Sequence, residues 1–135
     1  MPRVNLVDGL VRDEGGQIVF LGSRCSACGE TIFPALPDCP LCMAPDLMEP
    51  HDILGRGTVL RAILAERGQA GVPVPYVQAH VRLDEGPVVY STLQIDPASA
   101  GSVTGTVVEA TMAHISTIGD QENVGWKFTR SSHAA

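Results

Sequence analysis

The stretch "CSACGETIFPALPDCPLC", residues 25–42, holds all four cysteines of a 135-residue chain. They fall into two pairs, Cys25/Cys28 and Cys39/Cys42, each pair separated by two residues and the pairs separated by ten. Two residues between thiols let each pair close into a tight knuckle whose backbone amides turn toward the sulfurs. Gly29, just after the first pair, suits the positive φ such a turn needs. Two CxxC pairs at this separation predict a structural metal held by four thiolates, with zinc favoured and iron as the runner-up in the same tetrahedral frame. The redox alternative requires a thioredoxin-like strand and helix around one CxxC, and "CSACGETIFP" supplies neither. Four thiolates leave no open position on the metal for water or substrate, so its expected role is that of a staple.

The rest of the composition narrows the class. Net charge is −6 and the pI about 5.0, which disfavours nucleic acid, since proteins that track phosphate backbones carry basic stripes. Charged residues make up 18% of the chain and aromatics 4%, so the core must be built from aliphatic side chains. Low surface charge also hints at a protein partner. No apolar run approaches the roughly 20 residues that span a bilayer, and "MPRVNLVDGL" lacks the layout of a secretory leader. The expectation is a cytoplasmic protein that does not engage membranes, with its thiols reduced.

Around the cysteines the pattern is of strands. "GLV" and "QIVFLG" flank "RDEGG" and predict a hairpin within residues 1–24. "MAPDLMEPHD" (43–52), with two prolines, reads as a linker. "GTVLRAILAE" (57–66), "YVQAHVRLD" (76–84), "VVYSTLQI" (88–95), "TGTVVEATMAHI" (104–115) and "VGWKFTR" (124–130) read as five strands. The second alternates Val77, Ala79, Val81 and Leu83 against polar residues, the period of a half-buried strand. "EGP" turns it into the third. Either 97–103 or 43–52 has room for a short helix. The fold class is therefore mainly β: an N-terminal hairpin and rubredoxin-like zinc ribbon in residues 1–52, then a five-stranded OB-type barrel in 53–135.

No self-sufficient catalytic site is evident, and no catalytic residue is assigned. The cysteines are consumed by the metal, and there is no nucleophile elbow or Walker loop. His51 sits in the linker and His133 in the tail. His80 and His114 sit on strands, where a solvent-facing or core role competes with that of a base. Two features exceed bare folding. Ile32, Phe33 and Leu36 make the finger between the knuckles apolar; Phe33 covers the metal, or the finger docks on a partner. The chain has eight Arg and one Lys. Arg24, Arg56 and Arg61 lie near the ribbon–barrel junction in sequence, serving solubility or an anionic ligand such as a coenzyme A phosphate.

In order, Arg24 with the four cysteines, Phe33-Pro34, "GRGTV" (55–59), Pro75-Tyr76-Val77 and "LDEGP" (83–87) resemble the domain of unknown function 35 family over roughly residues 17–130. That resemblance implies a rubredoxin-like zinc ribbon joined to an OB-fold, in an accessory subunit of a hetero-oligomer with a thiolase-like acyl-CoA enzyme. The partner would supply the nucleophilic cysteine and histidines, and the small chain would support assembly and acyl-CoA binding. Arg24 and Arg56 would be its coenzyme A contacts, and Ile32, Phe33 and Leu36 its partner contacts. A toluene or benzoylsuccinyl-CoA type pathway is one case. Partnership with an acyl-CoA aldolase or hydratase is the alternative, and a small OB-fold nucleic-acid-binding module the second. One departure is Met43, where rubredoxin-type knuckles commonly have glycine.

Overall fold

A computed structural model describes residues 3–68 and 71–131. Ten strands run in chain order: β1 (Arg3–Asn5), β2 (Val11–Glu14), β3 (Gln17–Cys25), β4 (Thr31–Ile32), β5 (Met48–Leu54), β6 (Arg56–Ala65), β7 (Tyr76–Leu83), β8 (Val88–Leu93), β9 (Val107–Ile118) and β10 (Gln121–Arg130). A 3-10 turn over Pro97–Ser102 lies between β8 and β9, capped by the Asp96 carboxylate, which accepts from the Ala98 N–H at 3.0 Å. Proline at its first position suits a helical start.

Strands β6 to β10 close into a barrel. The neighbours run β10-β8-β7-β6-β9, and β9 pairs back to β10. All contacts are antiparallel except β8 with β10, which is parallel. With β6 as the first strand, this is the 1-2-3-5-4-1 order of an OB barrel, and closure removes most free edges. The predicted alternation of β7 holds: Val77, Ala79, Val81 and Leu83 are buried while Arg82 is exposed. Gly86 takes a positive φ of 120° in the β7–β8 turn. Gly57 approaches β7 so closely that an added Cβ would meet the Arg82 carbonyl oxygen at 2.2 Å.

The ribbon is a second sheet. β2 and β3 form the expected hairpin around Gly15-Gly16, β4 pairs with β3 beyond β2, and β5 pairs along the other edge of β3 from Cys25–Met48 to Val19–Leu54. The expectation of a linker over 43–52 is corrected here, since Met48–Leu54 is a strand. Its exposed polar positions and Pro50 hide the strand period, and an edge strand tolerates proline. β1 adds in parallel to the outside of β10, which a three-residue segment could not announce.

The two sheets bury one continuous core. Ile18 and Phe20 of β3 and Ile53 of β5 are fully buried in the same cluster as Val59, Val77, Val81, Leu83, Leu93, Val108, Ala110 and Phe128 of the barrel. Gly55 joins them, donating to the Ile18 carbonyl at 3.0 Å and accepting from the Ala110 N–H at 2.7 Å. The "LDEGP" turn also reaches the ribbon: the Asp84 N–H donates to the Arg56 carbonyl (2.9 Å), and Glu85 pairs with His51 Nε2 on β5 (2.6 Å).

Candidate metal centre

The first knuckle grows from the end of β3. The Gly29 N–H donates to the Cys25 carbonyl at 2.8 Å, with Gly29 at φ 80°. The second knuckle repeats this, with the Met43 N–H donating to the Cys39 carbonyl at 3.1 Å and Met43 at φ 63°. Met43 thus holds by strain the left-handed turn that Gly29 adopts freely. The Cys42 N–H points at Cys39 Sγ (3.5 Å). The Ser26 N–H and hydroxyl both donate to the Leu47 carbonyl, and the Asp46 N–H donates to the Asp38 carboxylate, tying the returning chain to the knuckles.

These turns bring the four sulfurs together as predicted, all within 4.8 Å of one another. Cys25–Cys42 is 3.6 Å and Cys28–Cys39 is 3.7 Å. Bonds of about 2.3 Å from a tetrahedral metal place sulfurs about 3.8 Å apart, so the donor set fits a four-coordinate ion. Cys25, Cys28, Cys39 and Cys42 would hold it, and with four sulfur ligands it would supply folding rigidity. In both knuckles the first cysteine faces inward: Cys25 and Cys39 are buried, Cys28 and Cys42 exposed. The backbone N–H of Cys28 draws the Cys25 thiol below its ordinary pKa, and that of Cys42 draws Cys39 down to about 7. At Cys28 the Glu30 N–H pulls down, but burial and the neighbouring thiols outweigh it and push it up to about 12. Cys42 is likewise raised: the Ala44 N–H pulls down, and Cys25, burial and Cys39 prevail.

The finger between the knuckles is pinned to the seam between ribbon and barrel. An added Cβ on Gly22 would meet the Ile32 carbonyl oxygen at 2.5 Å, so β4 lies hard against β3. The Leu36 N–H donates to the buried Ser23 hydroxyl at 3.1 Å. Phe33 packs edge-on against Phe20 (5.0 Å between ring centres) and Trp126 (6.1 Å). Its ring therefore lies on the barrel side of the finger, and the reading of Phe33 as a lid on the metal is replaced. Ile32 and Phe33 are half-buried and Leu36 is exposed. Sequence reasoning missed two neighbours: Leu41 and Met43, which flank Cys42, are 63% and 76% exposed. Their place beside a ligand in a short knuckle was the available signal.

Arg24 and Arg56 are not brought together. Arg24 is exposed between Thr31 and Glu49, at the metal end of β3. Arg56 is half-buried opposite Glu109 at the start of the barrel. Seven residues of β5 and its turn separate their levels, about 20 Å at strand rise. Arg61 is exposed farther along β6. The histidines do not converge either. His80 tilts against Tyr90 (5.7 Å), and His114 contacts Thr117 and Glu122; His133 lies outside the described residues.

A four-cysteine ribbon built onto an OB-type barrel, sharing its core, defines the class of the molecule. Residues 12–47 match the family described as ChsH2, rubredoxin-like zinc ribbon domain. The chain is 33% identical over 76 residues to a DUF35 domain-containing scaffold protein of Pyrococcus furiosus, covering 55% of this chain and 54% of that one. It is 32% identical over 78 residues to the benzoylsuccinyl-CoA thiolase subunit BbsA of Thauera aromatica, covering 58% and 54%. The match spans about half the length of these curated relatives. A solved structure titled Ltp2-ChsH2(DUF35) aldolase superposes with a TM-score of 0.59 at 25% identity, over 84% of each chain. The chain is thus similar to proteins of the domain of unknown function 35 family, over its ribbon by sequence and over most of its length by fold. No helix among the described residues is long and apolar enough to cross a membrane.

Proposed function

We propose that this chain is a noncatalytic accessory subunit in a hetero-oligomeric acyl-CoA enzyme complex, with a thiolase-type acyltransferase as its partner. The observation that carries the reading is the likeness to a scaffold protein and to a thiolase subunit, in a chain whose four thiols converge on one closed metal site. The ion is zinc, with iron as the competitor for the same sulfur frame. It holds the finger rigid, so that docking costs little ordering entropy. The partner supplies the reacting groups, and the compartment is the reducing cytoplasm. The pathway is an aromatic one of the benzoylsuccinyl-CoA type.

The partner contact runs along the finger from Ile32 through Phe33 to Leu36. Phe33 and Pro34 line an apolar cleft with Leu10, Val88, Val89, Tyr90 and Trp126, and Leu36 is 42% exposed on the ribbon side. Between Cys25 and Pro50 the chain carries Glu30, Asp38, Asp46 and Glu49 and no Lys or Arg. That charge favours a partner surface with a basic rim, such as the mouth of a site that receives coenzyme A phosphates. It opposes a nucleic-acid partner. Arg24 and Arg56 would meet different parts of an acyl-CoA, given their separation.

The solved aldolase match, over 84% of each chain, supports an acyl-CoA aldolase as the second reading of the partner. Tagged chain purified from its native cell discriminates them: the co-eluting subunit is assayed for thiolytic and for retro-aldol cleavage of acyl-CoA. Leu36→Asp, with metal content and circular dichroism unchanged, should release that subunit. Retention at native affinity would remove the finger from the interface.

A further inference from the structure

The edge of β6 changes character halfway along. From Arg56 to Thr58 it is bonded to β9, and Val59 exchanges hydrogen bonds with Thr106 and Gly105. A bulge between Val59 and Arg61 then shifts the register. From Arg61 to Ala65 its ladder partner among the described residues is β7 alone, and Leu60 is the unpaired bulge residue. Among the described residues no backbone hydrogen bond reaches the opposite edge of that half-strand, where Leu60, Ile63 and Leu64 are 42%, 40% and 40% exposed, although the Pro97–Ser102 turn packs near β6. The described part of the following loop turns away from it: the Gly71 carbonyl accepts from Thr117 N–H, and Val72 lies with Tyr76 and Gln78 over the β7–β8 face.

Sheet proteins block open edges with charge or proline. Two other outer strands here do so. β2 carries Arg12, Asp13 and Glu14; β5 carries Glu49, Pro50, His51 and Asp52. The open half of β6 has one charge, Arg61, in six residues. We propose that this segment pairs antiparallel with the same segment of a second copy of the chain, with Ile63 on the two-fold axis.

Charge and parity choose that register. In a symmetric antiparallel pair, opposed side chains share a face, so each residue opposes one of the same parity and one residue opposes itself. With Ile63 on the axis, Ile63 meets Ile63, Ala62 meets Leu64, and Arg61 meets Ala65 of the second copy. Centring on Leu64 sets Arg61 against Arg67, like charges directly opposed, which is destabilising. Centring on Ala62 draws the bulged Leu60 into the ladder and leaves Ala65 unpaired. A ladder of this length buries less than the roughly 1,200–2,000 Å² of a standard interface, so the dimer is weak and concentration-dependent.

Sedimentation equilibrium of the metal-loaded chain from micromolar to millimolar concentration tests this. A monomer–dimer equilibrium is expected, and Ile63→Lys should raise its dissociation constant about tenfold or more with metal content and circular dichroism unchanged. Directly opposed Cα atoms lie about 4.5–5.5 Å apart, within disulfide reach. Under mild oxidation Ile63→Cys should therefore cross-link faster than Leu64→Cys, whose copies sit two residues out of register. A monomer throughout the range, or equal cross-linking at 63 and 64, overturns the proposal. A monomer whose Ile63→Lys variant loses the co-purifying enzyme subunit would overturn it too, and assign the edge to a strand of that subunit. Leu36→Asp leaves the β6 edge intact, so failure of the finger contact is separable from failure of self-pairing.

Discussion

Replacing Phe20 with alanine removes a ring that sits in a ribbon strand but packs in the barrel core. Phe20 is fully buried. It packs edge-on against Phe33 of the finger at 5.0 Å and against Trp126 of β10 at 5.1 Å. Phe→Ala in a close-packed core costs about 3–5 kcal/mol, and two ring contacts of this geometry, worth about 0.5–1.5 kcal/mol each, place this site in the upper part of that range. Against a total of about 5–15 kcal/mol for a typical domain, the loss is large. Because Ile18, Phe20 and Ile53 share one cluster with the barrel, the destabilisation should reach both parts. Trp126 is the single tryptophan and reports the barrel, while a chromogenic chelator reports the metal site. Urea titration followed by both probes should show one midpoint, shifted equally in Phe20→Ala. A shift below about 1 kcal/mol, or barrel fluorescence lost at lower urea while metal release stays unmoved, would refute the shared-core argument.

Four further outcomes follow from particular contacts. Met43→Gly relieves a left-handed φ at an exposed knuckle residue, so resistance to chelator should rise by up to about 1 kcal/mol; a fall would show that Met43 contributes packing. Gly57→Ala forces its Cβ onto the Arg82 carbonyl and should destabilise by about 1–3 kcal/mol in denaturant titration. Replacing Cys39 with serine should release the metal and melt the finger, while amide exchange at Ile18–Phe20 and Ile53 stays slow because the barrel holds them. Asp52 accepts a hydrogen bond from the Arg12 guanidinium at 2.6 Å, and chiefly this bond holds its carboxyl below the ordinary value. The pair's contribution is therefore full above the ordinary carboxylate range and disappears as pH falls through the lowered folded value. Carboxyl NMR titration of Arg12→Ala should return Asp52 to the ordinary range.

What could be read from the sequence was what has a short-range period or a fixed spacing. The cysteine pairs declare their cluster because two-residue knuckles have few geometries. β7 declares its buried face through Val77, Ala79, Val81 and Leu83, and Gly15-Gly16 marks the β2–β3 hairpin. The features that stayed hidden depend on partners distant along the chain. β5 carries Pro50 and polar neighbours because it lies at an edge. Phe33 turns toward Trp126, more than ninety positions away, and no local pattern around the finger distinguishes that from covering the metal. Thr104 and Gly105 look like the start of β9, but Gly105 takes a positive φ of 88° in a turn closing onto Val59. The level separation of Arg24 and Arg56 follows from strand length, which converts proximity in sequence into distance in space.

The most direct test of the accessory role is reconstitution: acyl-CoA cleavage by the co-purifying enzyme subunit alone, by this chain alone, and by the two mixed. The expected result is no turnover by the metal-loaded chain, impaired turnover by the enzyme subunit, and restored turnover in a complex with one metal ion per chain. Turnover by the purified chain alone, or full activity of the enzyme subunit with no complex formed, would contradict it.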